Sequence, residues 1–182
     1  MSGAVLIAGI GNIFQGDDFF GVAVVHKLAA VKLPERVRVM DIGIRAIDLG
    51  FALLDEYDLT ILVDATSRGG APGTLYTIEI TVDDIPDASD EACVGNAHGL
   101  NPVRVLALAK SMGARFKKVL LIGCEPLVLE HDGSGHIGLS EVVEAAVDSA
   151  VETIRRLVEE FTQDDMVANT LKEEEVCSHE FL

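Results

Sequence analysis

The chain has 182 residues, 49% of them hydrophobic, with 30 acidic against 14 basic side chains and a formal net charge of −16. That is enough apolar material for one sizeable core, and the length fits a single domain. The charge argues against a nucleic-acid partner, whose phosphates need neutralising Lys and Arg, and against an anionic membrane surface; neutral or basic partners, or cationic metals, fit it better.

The predicted elements alternate short apolar runs with helical segments, the pattern of an α/β domain with helices on both faces of its sheet. Ala4–Ala8 reads as the first strand, not as a signal peptide, because the run is short and no positive segment precedes it. A loop over 9–18 leads to a helix over about 19–31, with Phe20, Val24, Leu28 and Val31 at helical spacing. Arg36–Asp41 is predicted as a second strand, 46–54 as a second helix and Leu59–Val63 as a third strand. Thr74–Ile80 alternates after the Gly69–Gly73 turn, and is expected to pair antiparallel with its predecessor. An acidic loop spans 83–96, a helix 102–112 stops at Gly113, and Val119–Ile122 is another central strand. Ser140 is placed as the cap of a long last helix. A mostly parallel sheet of about five strands between helices is the expected fold, in a domain over 1–161. Residues 162–182 are expected to form a flexible acidic tail; from Glu159 onward the chain has eight acidic residues against Lys172 alone.

Cys93, Cys124 and Cys177 are widely spaced and odd in number, which supports neither a disulfide framework nor a zinc ribbon and suits a reducing cytoplasm. No stretch has the roughly 18 uninterrupted apolar residues of a membrane span.

Three positions carry the candidate chemistry. The glycine-rich loop Gly9–Asp18 follows the first strand, as a nucleotide-binding loop would. Phe14, however, stands where the dinucleotide fingerprint needs its third glycine and would block close approach of helix and sheet. Asp17 and Asp18 stand where a phosphate loop needs Lys and Ser or Thr, so no nucleotide is expected. The loop instead delivers carboxylates to the carboxyl edge of the sheet. Asp64 ends an apolar central strand, and Asp41 ends the second strand; each could equally be a turn cap. His98 stands just before the helix that begins at Pro102. Two carboxylates and an imidazole suit nickel, zinc, cobalt or iron better than magnesium or calcium.

The series Gly-Ile-Gly-Asn, Gly-Asp-Asp and Gly21, Leu-Val-Asp-Ala at 62–65, Ala-Pro-Gly-Thr at 71–74, His-Gly-Leu at 98–100 and Gly-Cys-Glu-Pro at 123–126 resembles the nickel-iron hydrogenase maturation endopeptidases over about the first 160 residues. The resemblance implies removal of a C-terminal extension from a hydrogenase large-subunit precursor after nickel insertion. It implies Asp18, Asp64 and His98 as ligands to nickel that the precursor supplies. Two departures are Asp18, where some relatives have Glu, and Ile44, where many have Thr. Cys124 is read as packing, not as a nucleophile, and Asp41 is the remaining acid or base candidate. A monomer that meets its precursor transiently in the cytoplasm is expected. The alternatives are a divalent-metal hydrolase of a small molecule and a flavodoxin-like binding module whose Asp residues only cap turns.

Overall fold

The computed structural model describes residues 3–87, 102–129 and 137–178, with side chains up to 163 in the last stretch. Five strands, β1 (Val5–Ile10), β2 (Val37–Gly43), β3 (Leu59–Ala65), β4 (Leu75–Ile80) and β5 (Val119–Cys124), form one sheet in the order β2-β1-β3-β5-β4. β1 pairs parallel with β2 and β3, and β3 pairs parallel with β5. Among the described residues four α-helices accompany it: α1 (Phe20–Leu28), α2 (Ala46–Ala52), α3 (Pro102–Ser111) and α4 (Glu141–Ser178). The boundary expected at 161 therefore falls inside α4, which continues to Ser178.

The strands that read as continuous apolar runs, β1, β3 and β5, occupy the interior of the sheet and are buried almost throughout. Strands covered on both faces must be apolar on both. The two with partly exposed residues, β2 and β4, lie at the edges. This places β4 differently from expectation: it is antiparallel to β5, with Leu75 opposite Cys124 and Ile80 opposite Val119, and it does not pair with β3. The flanks of β3 are already taken by β1 and β5, so a half-buried strand closes the outer edge.

Side-chain alternation splits the core into two layers. Val5, Ile7, Ile61 and Val63 pack with Phe20, Val24 and Leu28 of α1 and with Val143, Val147 and Ile154 of α4. Leu6, Ala8, Ile10 and Leu62 face the other way, against Leu49 of α2 and Leu106 of α3. The chain leaves β1 toward β2 on one side and returns to β3 on the other, so strand order reverses at β1. In open α/β sheets the crevice outside the carboxyl ends at such a switch point is where ligands bind.

Candidate active site

The switch point is built by the loop after β1. Gly11 has φ +140°, and a Cβ there would lie 1.7 Å from the carbonyl oxygen of Asp18. Only glycine lets the loop fold back this tightly. The fold-back brings Asp18 Oδ2 to the Asn12 N–H, which donates to it at 2.6 Å. The close approach of helix and sheet that Phe14 was expected to block is present after all. Gly21 of α1 lies so near β3 that a Cβ would stand 2.1 Å from the Val63 carbonyl oxygen, and a Cβ on Gly9 would stand 2.3 Å from that of Gly21. Phe14 points outward, 60% exposed.

The neighbouring carboxylates of this loop divide their roles. Asp17, read with Asp18 as part of an acidic edge, is fully buried. Its Oδ2 accepts from the N–H groups of Leu127 and Val128, both at 2.8 Å, and from the Ser140 hydroxyl at 2.9 Å; its Oδ1 accepts from the Ser140 N–H at 2.7 Å. Ser140 thus stands at the head of α4 with its hydroxyl donating to Asp17. Asp17 ties the first loop to the β5 exit and to α4, and it offers no carboxylate to a ligand.

Asp64 is 8% exposed at the end of β3. Burial and the charge of Asp18 push its carboxyl well above the ordinary range, against a lowering contribution from the Ala65 N–H. The structure therefore brings Asp18 and Asp64 close enough to couple. Asp41 is set apart. Gly9 of β1 pairs with both Asp41 and Val63, so Asp41 shares the face of Val63, and Asp64, one residue on, takes the opposite face. There Asp41 Oδ2 lies 2.8 Å from Nε2 of His26 on α1, and the Asp41 carbonyl accepts from Arg45. His98 lies outside the described residues, and among those described no group of three His, Cys, Asp or Glu side chains could hold a metal ion. Cys124 is buried, and burial followed by the charges of Asp17 and Glu125 raises its thiol to about 12, which keeps it protonated and unreactive at neutral pH.

A further carboxylate at this edge went unused by sequence reasoning, although the Gly-Cys-Glu-Pro motif contains it. Glu125, 6% exposed, accepts from the N–H of Arg68 at 2.8 Å, the N–H of Gly69 at 3.1 Å and the Tyr76 hydroxyl at 2.8 Å. Burial alone would raise its pKa, but these bonds and one from the Gly70 N–H outweigh it and hold the group below its ordinary value. Its main chain adds two more bonds, from Gly73 N–H and to the Thr74 carbonyl, both 2.8 Å. The turn that leaves β3 is thereby fastened to the exit of β5.

Comparison with known proteins identifies the family of the chain. Residues 22–157 match the model of the HycI hydrogenase maturation protease family. The hydrogenase expression/formation protein HupD of Rhodobacter capsulatus is 34% identical over 169 residues, 92% of this chain and 79% of that protein. Among solved structures, a hydrogenase 2 maturation peptidase from Thaumarchaeota archaeon SCGC_AB-539-E09 is 34% identical, with a TM-score of 0.65 over 86% of this chain and 98% of its own. The hydrogenase maturating endopeptidase HybD from E. coli is 28% identical, with a TM-score of 0.67 over 86% and 93% of the two chains. Matched by this family model across most of its length, and by relatives more than 30% identical, the chain is a member of the hydrogenase maturation protease family.

Proposed function

We propose that the protein removes the C-terminal extension of a nickel-iron hydrogenase large-subunit precursor once nickel has been inserted, and that it recognises the nickel the precursor carries. The observation that carries this reading is the buried Asp64 carboxyl beside Asp18. Two carboxylates in a low-dielectric crevice repel each other, and a divalent cation relieves both the repulsion and the desolvation cost. Asp18 and Asp64, with His98 as the third ligand, would hold the ion through two oxygens and one nitrogen, a donor set that suits nickel. Gripping it fixes the precursor's C-terminal segment against the crevice, so that the scissile bond is held in one orientation. A polypeptide substrate also suits the rim, where Ile13, Phe14, Ile44 and Leu127 are exposed on the loops after β1, β2 and β5.

The test is to incubate the protein with nickel-loaded and nickel-free precursor and follow loss of the C-terminal peptide by mass spectrometry. Cleavage of the loaded form alone is expected. Equal cleavage of both forms would sink nickel recognition, and processing at the normal rate by D18N, D64N or H98A would remove that residue from the ligand set.

A further inference from the structure

We propose that Arg68 is a specificity-determining residue: its guanidinium takes a carboxylate of the polypeptide substrate, on a turn that Glu125 and Tyr76 hold rigid beside the Asp18–Asp64 crevice. The inference rests on the reading above that the substrate enters at this edge.

Arg68 stands four residues after Asp64, on the turn that leaves β3 at the carboxyl edge. Its backbone is held in place, because Glu125 binds its N–H and the next one, Gly69. Gly70 completes the nest, and a Cβ there would lie 2.2 Å from the Tyr76 hydroxyl oxygen, so a larger residue would push that hydroxyl away from Glu125. The Arg68 guanidinium lies 5.8 Å from the centre of the Tyr76 ring, a cation–π contact that orients the side chain without using its hydrogen-bond donors. Glu125 is already committed to backbone N–H groups and Tyr76. Although the chain has 30 acidic residues, Arg68 makes no ion pair among the described residues. Arg45, on the loop after β2, is by contrast bound to Asp48 and to the Asp41 carbonyl.

An exposed arginine with fixed backbone, an oriented side chain and its planar fork of donors unspent is suited to bidentate capture of a carboxylate, with much of the ordering cost already met by the fold. The surrounding negative charge makes the position selective. An acidic group on the substrate is repelled across most of this surface and accepted at Arg68, which sets where the extension lies relative to the crevice. The carboxylate can come from an Asp or Glu side chain of the extension or from its terminal α-carboxylate.

Steady-state processing of nickel-loaded precursor by the wild-type protein, R68A, R68K and E125Q tests this, with folding checked by thermal melts. R68A should raise KM about tenfold, the size of one charge-assisted contact, with kcat within about twofold. R68K should recover part of the loss, because a lysine contacts a carboxylate through one point. E125Q should raise KM in the same sense, and adding R68A to it should cost less than the product of the two effects. Two altered precursors identify the source: one with the acidic side chains of the extension changed to amides, the other with its terminal carboxylate amidated. The gap between wild type and R68A should close on one of them. Equal KM for wild type and R68A, a loss in kcat alone, or a gap that persists on both altered precursors overturns the assignment. Should the wild-type protein fail to cleave loaded precursor at all, the functional reading itself falls, an outcome distinct from equal KM values.

Discussion

Asp17 and Asp18 are adjacent and chemically identical, yet one is fully buried as a tie between distant segments and the other, half-buried, bears its charge on Asp64. The sequence reading placed both at the ligand edge, because nothing in a dipeptide reveals that Leu127, Val128 and Ser140, more than a hundred residues away, converge on the first of them. Asp64 was legible as a strand-end carboxylate; its burial beside Asp18 was not. In the metal-free protein its folded pKa lies above the unfolded value of about 3.8. The group therefore costs nothing at low pH and opposes folding increasingly as pH rises from the ordinary carboxylate range through its raised folded value. D64N removes that cost. Thermal melts without metal should show D64N more stable than wild type at pH 8, with the difference shrinking toward pH 4, while precursor processing is lost; a D64N protein less stable at both values would contradict the buried charge. Cys124, with its thiol raised to about 12, should resist iodoacetamide in the folded protein at pH 8, read by peptide mass mapping, and C124A should process precursor within about twofold of wild type.

At the scale of elements, strand identity and helix phase followed from periodicity, whereas pairing did not. Alternation in Thr74–Ile80 marked a half-buried strand, but its partner was decided by which edge the interior strands left open. The head of α4 shows the same limit: Ser140 was expected to cap the helix, but its hydroxyl donates to Asp17, and only its main-chain carbonyl takes the Val143 and Glu144 N–H groups. D17A leaves four donors without their acceptor, and at roughly 1.5–3 kcal/mol for a hydrogen bond to a charged group it should lower stability by ~3 kcal/mol or more in urea titration. D18A gives up the Asn12 N–H bond but also the repulsion with Asp64, so it should cost less stability than D17A and lose processing instead. A reversed pattern would exchange the roles assigned to the two residues. G21A puts a methyl against the Val63 and Ile10 carbonyl oxygens and should cost ~1–3 kcal/mol by overpacking, seen as a lower urea midpoint with unchanged slope.

For the whole molecule, the described packing of α4 against the sheet ends near Val158, with Phe161 against its margin. A chain ending after residue 163 should therefore melt cooperatively within about 4 °C of the full chain, the equivalent of ~1 kcal/mol, and still process precursor. A larger loss would show that the acidic segment beyond contributes to the fold. Part of the charge of −16 also changes meaning once the fold is known. Asp17 is internal, Asp41 is turned toward His26 on the other face, and Asp18 with Asp64 forms the coupled pair.

The class of fold, the interior strands, the crevice loop and the family resemblance were determined by the sequence alone, because apolar periodicity, obligatory glycines and ordered motifs are local properties of the chain. Which carboxylates meet, which one is buried as a tie and that Arg68 is left without a carboxylate were decided only by tertiary structure. Those facts depend on strand register, which sends Asp41 and Asp64 to opposite faces, and on loop closure, which carries Glu125 to the amides of Arg68 and Gly69 across more than fifty residues.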